Sequence, residues 1–187
     1  SFVAARAPGH TFNEAYRYVD WLLTVPLLLL ETIAVLNLPA GERKSLVSRL
    51  VPASALMIVL GYPGEIAVEN GPKMLWGALS TIPFLYILYI LFVELTKSLE
   101  SQPGEVAATV KRLRLLLIAT WGVYPISFLL PVFMSDGGGA EGFVGRQIGY
   151  TVADVLAKCL FGLTIYKIAR LKSAADDPSY ASSEGLH

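Results

Sequence analysis

The chain has 187 residues, 54% of them hydrophobic and 16% charged, with 15 basic residues balancing 15 acidic ones. A mean hydropathy of +0.55 is too apolar for a soluble domain of this length, and zero net charge gives no reason to expect a nucleic-acid partner. The single cysteine, Cys159, excludes an internal disulfide and, in an apolar run, reads as inert packing.

Residues 1–13 hold Pro8, Gly9 and His10 and read as a loop, with His10 solvated and Asn13 placed to cap the first helix. Residue 1 opens a polar stretch without a basic n-region, so no signal peptide is expected there. The first span is predicted at 14–36, near the ~20 residues that a bilayer demands. A turn over 37–44 with Pro39 and Gly41 leads to a second span at 45–62, where Arg49 snorkels from the start. Pro63 and Gly64 read as its stop, with a loop running to Lys73. A third span at 74–95 is followed by a polar linker with Lys97, Pro103, Lys111 and Arg112. The fourth, at 113–134, is interrupted by Pro125 and Pro131. A glycine-rich loop over 135–142 precedes the fifth, at 143–169. The expectation is an all-α membrane bundle over residues 1–172 and a disordered cytoplasmic tail over 173–187.

Arg43, Lys44, Arg49, Lys97, Lys111, Arg112, Arg114, Lys167, Arg170 and Lys172 gather on one side; Glu65, Glu69, Asp136 and Glu141 mark the other. The positive-inside rule makes the basic side cytoplasmic. The N-terminal side of this chain is then outside, the C-terminus inside, and the number of spans odd. Asp20 lies toward the outer half and Glu31 toward the inner.

Arg17, Asp20, Thr24, Leu27 and Glu31 recur every three or four residues and share one face of the first helix. Asp20 and Glu31 are about 16 Å apart along its axis. Two acids stacked on a membrane helix suggest stations for a proton, and ionisable groups at such depth are functional by default. The fifth span adds Asp154 and Lys158, one turn apart on one face. A mid-span ammonium has three resolutions: pairing with Asp154 and Asp20, loss of its proton, or conversion to a Schiff base. A buried ion pair without chemistry is the plainer alternative. On spacing alone, Trp21, Trp121 and Tyr124 read as packing aromatics.

With these residues the sequence resembles the microbial (type 1) rhodopsins, in their proteorhodopsin and xanthorhodopsin branch. The matching strings are Arg17 through Glu31, Leu75 through Pro83, Trp121 through Pro125, and Asp154 through Lys158. The resemblance covers nearly the whole chain. It implies a seven-helix bundle, of which five helices, similar to the third to seventh, are present here; the native protein is expected to be longer. It implies all-trans retinal joined to Lys158 as a protonated Schiff base, with no metal and no enzymatic turnover. Asp20 resembles the primary proton acceptor, Asp154 the second counterion, Arg17 the arginine of the outward path and Glu31 the cytoplasmic donor. Asp20, Thr24 and Glu31 together match the proton-pump signature.

Trp21, Trp121, Tyr124, Pro125 and Phe128 then resemble walls of a polyene slot, and Met57, Gly61, Ser80 and Phe84 its ring end. Leu28 matches a position that goes with green absorption, and Pro26 one used against the chromophore. Gly77 matches a glycine that opens a window where a carotenoid antenna docks; the bland reading is a close-packing glycine. Arg146 departs from the archaeal pumps, which place a proton-release glutamate there. The resemblance implies a multi-pass protein of the cell (inner) membrane, a homo-oligomer (trimer or pentamer) in the lipid bilayer that moves protons outward. The competing readings are a photosensor, which often lacks a carboxylic donor, and a light-gated channel, which wants a more polar pore. A non-photoactive scaffold has no use for Lys158.

Overall fold

The computed structural model describes residues 14–36, 38–101, 104–133 and 139–183. The expectations for the loop at 1–13, His10 and the Asn13 cap fall outside these residues. The helices are α1 (Ala15–Val35), α2 (Ala40–Ile66), α3 (Asn70–Ser101), α4 (Gly104–Trp121), α5 (Val123–Phe133), α6 (Gly139–Asp154), α7 (Phe161–Asp176) and α8 (Pro178–Ser183). A π-helical turn, Val155–Leu160, joins α6 to α7. Five segments are long and apolar enough to cross a membrane: Ala15–Val35, Ala40–Ile66, Asn70–Glu100, Gly104–Leu130 and Gly142–Asp176.

Consecutive helices pack as antiparallel neighbours, α1 on α2, α2 on α3 and α3 on α4. The last segment returns between α4 and α1, so α1 is held on two sides. Its Tyr16, Val19, Leu23 and Leu27 remain exposed. Apolar side chains fill the half nearer Glu31, including Leu29, Leu50, Leu91, Leu95, Leu113, Leu117 and Phe161, each wholly buried. A smaller aromatic cluster of Tyr18, Trp21 and Tyr150, with Ile58, fills the half nearer Arg17.

All five spans exist, but the helices outrun the predicted bounds. A hydropathy reading marks the part that lipid covers, whereas the backbone goes on hydrogen-bonding where polar side chains meet water. The polar linker of the third and fourth spans is largely helical: α3 runs to Ser101 and α4 starts at Gly104. There Lys97 pairs with Glu94 at 2.9 Å, and Lys167 with Glu105 at 3.2 Å. Pro63 and Gly64 do not stop α2, which ends at Ile66. A proline costs one donor, and the helix closes beyond it through Ala67 N–H on the Pro63 carbonyl (3.1 Å). Gly64 is needed for closeness: a Cβ there meets Trp76 Cβ at 3.1 Å and Phe128 Cζ at 3.2 Å.

Within the tail expected to be disordered, residues up to Ser183 include helix. Residues 173–176 continue α7, and α8 forms at Pro178–Ser183. Asp177 starts this helix by accepting the Ser179 N–H (2.9 Å) and hydroxyl (2.7 Å), which hold its carboxyl below the usual range. The fourth span breaks at Gly122, just ahead of Pro125, dividing α4 from α5. Cys159 is exposed, not packed.

Candidate functional site

The site forms where α1 passes the π turn. Asp154 and Lys158 stand four residues apart, as a shared face requires, and their Nζ–Oδ1 distance is 3.5 Å. The turn around them is wider than an α-helix, a form that recurs at functional sites and that spacing alone does not reveal. Lys158 Nζ reaches across to Asp20 Oδ2 at 2.5 Å. The lysine thus sits between two carboxylates from different segments. Its side chain is 27% exposed and that of Asp20 50%, because both lie on the flank where α1 keeps its open face.

Asp154 is held by more partners than Asp20. Trp21 Nε1 donates to Oδ1 at 3.0 Å and the Tyr124 hydroxyl donates to the same oxygen at 2.8 Å. Arg17 Nη1 pairs with Oδ2 at 3.3 Å. Arg17, expected on the outward path, is bound to the second acid, with its guanidinium over the Tyr150 ring at 5.4 Å. Thr24 spends its hydroxyl on the Asp20 carbonyl (2.9 Å), and Pro26, two residues on, leaves the Leu22 carbonyl without its helical donor. Asp20 has one strong partner and an open side; Asp154 is immobilised from three directions.

A cavity of about 270 Å³ leads away from Lys158. Trp21, Trp121, Tyr124, Pro125 and Phe128 line it. Leu28, Met57, Gly61, Ser80, Phe84 and Gly77 also line it. Ser80 donates to the Met57 carbonyl at 2.7 Å, which joins α3 to α2, and Gly61 lets Ser80 and Tyr18 approach. Tyr18, Val25, Met74, Thr81, Tyr150 and Ala157 line it too and escaped the sequence reading. Tyr18 lies next to Arg17 in a matching string and was legible; Tyr150 had no signal, since only the crossing of α1 and α6 brings it in.

Glu31, expected as the donor, is exposed on α1 and does not line the cavity. Gly77 lines the cavity, but a Cβ there meets Phe128 Cε1 at 2.6 Å. The Phe128 ring is packed on the glycine and holds the space that an open window requires.

The arrangement presents one primary amine, flanked by two acids, at the end of a slot otherwise apolar or aromatic. Such a slot suits an elongated apolar molecule carrying one amine-reactive end. The residues thus fit retinal: Lys158 Nζ would hold its aldehyde carbon and the aromatic walls would hold its polyene.

The model of the bacteriorhodopsin-like protein family matches residues 2–171. Bacteriorhodopsin of Halobacterium salinarum is 34% identical over 179 residues, 95% of this chain and 66% of its own length. Green-light absorbing proteorhodopsin from Gamma-proteobacterium EBAC31A08 is 32% identical over 161 residues, 85% of this chain and 62% of its own. Among solved structures, xanthorhodopsin, a light-driven ion pump with dual chromophore, superposes with a TM-score of 0.80 at 50% identity. That match covers 90% of this chain and 67% of xanthorhodopsin. The chain spans about two thirds of the length of these relatives.

Proposed function

This chain belongs to the bacteriorhodopsin-like family of microbial rhodopsins, and from that premise we propose that the whole protein is a light-driven outward proton pump. The observation that carries the proposal is Lys158 Nζ between Asp20 (2.5 Å) and Asp154 (3.5 Å) at the end of the apolar cavity. Lys158 Nζ would hold retinal, which would supply light absorption and isomerisation when bound.

Asp20 is the acceptor. It is the nearest base to Nζ, and Lys158 is its one strong partner. Asp154 is the fixed counterion, because Trp21, Tyr124 and Arg17 hold its carboxyl whatever happens at Nζ. Tyr124 and Trp21 also hold Asp154 still, so the amine keeps one orientation between events. Thr24 steadies the helix turn that carries Asp20. Glu31, two turns further in than Thr24, returns a proton to Nζ from the cytoplasmic side. Acceptor outside and donor inside make transport vectorial. The protein is a multi-pass pump of the cell membrane, not an enzyme, with its C-terminus cytoplasmic and a homo-oligomeric assembly in the bilayer.

A carotenoid antenna at Gly77 belongs to the same reading in a narrower form. It requires the Phe128 ring to rotate off Gly77, since a second chromophore and that ring cannot share the space.

The test is illumination of cells that express the full-length protein with retinal. The expected result is acidification of the medium, abolished by a protonophore. A photocurrent that tracks and reverses with applied voltage would identify a channel. A visible photocycle without ion movement would identify a receptor.

A further inference from the structure

The cavity that starts at Lys158 has a second end, which proton transfer does not use. Of the described residues that line it, Met74 and Ala78 of α3 alone are exposed, Met74 at 46%. Trp21 and Ala157, nearer the lysine, are buried. Met74, Gly77, Ala78 and Thr81 follow one another at helical spacing, so the cavity opens along one stripe of α3. Across from it stand Pro125, Phe128 and Leu129, one stripe of α5.

The gap between these stripes has a cause in the chain. α3 packs closely on α4, but the break at Gly122 sends α5 toward α6 and leaves it few contacts with α3. α5 is seated tightly there, since a Cβ on Gly149 of α6 overlaps Ser127 Oγ. The half of α3 that carries Met74 thus lacks the neighbour that covers its other half. One side chain closes the gap. The Phe128 ring reaches from α5 into a notch made by two glycines, Gly64 of α2 and Gly77 of α3. A Cβ on Gly64 meets Phe128 Cζ at 3.2 Å, and one on Gly77 meets Cε1 at 2.6 Å. A phenyl ring has no hydrogen bond to break, and rotation about its own side-chain bonds swings it out of the notch while α5 stays on α6.

An elongated apolar aldehyde dissolves in lipid and not in water, so it reaches Lys158 sideways, from the bilayer. Its direction of travel matters. Lys158 takes the aldehyde, and Lys158 lies at the deep end of the cavity. A molecule that enters between α3 and α5 with its aldehyde first arrives with that end at Nζ and leaves its other end at the mouth. It has no need to turn round in a slot of about 270 Å³. Entry on the flank of α1, beside Lys158, carries the unreactive end past the amine first.

We propose that the gap between α3 and α5 is a lateral portal, through which retinal enters from the bilayer aldehyde first, and that Phe128, seated on Gly64 and Gly77, is its gate. The proposal rests on reading Lys158 as the attachment site. The two glycines then share one use: a side chain at either position crowds the ring and keeps the gate from seating. Met74, unbranched and adaptable, forms the outer lip.

The experiment uses the full-length protein without chromophore, in lipid nanodiscs, mixed in the dark with all-trans retinal. Quenching of tryptophan fluorescence reports arrival in the cavity, which Trp21 and Trp121 line. Growth of the visible band reports attachment. Phe128→Ala should speed arrival at least about tenfold, the effect of a barrier lowered by about 1.4 kcal/mol. Cys159 is exposed, so labelling starts from Cys159→Ser. On that background, Met74→Cys carrying a bulky maleimide should slow arrival at least about tenfold. The same label on Leu23→Cys, on the exposed face of α1, should leave it unaltered. Unaltered arrival in Phe128→Ala would overturn the gate. Unaltered arrival with Met74 labelled, or slowing by the Leu23 label alone, would overturn the portal. Should Phe128→Ala fail to fold, the two labelled proteins decide. A wild type that quenches normally yet never forms a visible band removes Lys158 as the attachment site and leaves the portal standing.

Discussion

The two halves of the bundle are built from different chemistry. Nearer Glu31, close-packed Leu29, Leu50, Leu91, Leu95, Leu113, Leu117 and Phe161 join α1, α2, α3, α4 and α7. Nearer Arg17, the same work falls to hydrogen bonds and ion pairs: Tyr18, Tyr150 and Arg146 on Glu65, and Trp21, Tyr124 and Arg17 on Asp154. In a membrane, aliphatic contact gives close packing without direction, whereas a satisfied polar network sets angles and distances. The difference suits the one-way proton path proposed above. The polar half offers successive oxygens at defined distances, and the aliphatic half resists leakage because it offers few.

Substitutions at the junction of the halves should have the largest effects. Lys158→Ala should abolish the visible band of the retinal-reconstituted protein. A retained, hydroxylamine-sensitive band would place the attachment elsewhere. Asp20→Asn should stop light-induced acidification and shift the band to the red, since the counterion that stabilises the dark charge distribution is gone. Acid titration of the wild type should produce a similar red shift. Normal acidification by Asp20→Asn would remove it from the acceptor role.

Within the aliphatic half, Glu31→Gln tests whether one acid carries inward supply. Recovery of the dark band should slow by about 10²-fold or more, the contribution of one positioned proton donor, and azide should relieve the slowing. Unchanged recovery at neutral pH would mean that the inner half conducts protons without Glu31. Leu113→Ala separates packing from proton chemistry. It should lower stability by about 2–5 kcal/mol, the cost of a buried leucine truncation, while the dark maximum stays in place. A shifted maximum would show that the two halves are not independent.

The smallest effect is expected at Gly77. With Phe128 Cε1 only 2.6 Å from a prospective Cβ, Gly77→Ala should cost about 1–3 kcal/mol by overpacking. Phe128→Ala in the same chain should remove most of that cost. For the antenna, fluorescence excitation spectra with added hydroxylated or ketolated carotenoid should show carotenoid bands in the wild type, and more strongly in Phe128→Ala. If neither protein shows them, Gly77 serves packing alone.

Read alone, the sequence carried the five spans, because about twenty apolar residues between polar ends can satisfy their backbone in lipid only as a helix. It also carried Lys158, Asp154 and Asp20, because charges are rare in such spans and four-residue spacing puts two of them on one face. It did not carry the helix ends, since the polar turns of α3 and α4 beyond the lipid have no hydropathy signature. The tertiary structure alone decided which acid Arg17 binds, that Glu31 is exposed, that Phe128 sits on Gly77, and that the π turn aims Lys158 at Asp20. Glu65 shows the limit most plainly. In the sequence it is an acid after a Pro-Gly pair and reads as a loop residue on the outer surface. Its burial comes from α2 continuing through Pro63 and from three other helices converging there, and contacts between residues 47 to 85 positions apart leave no periodicity to read.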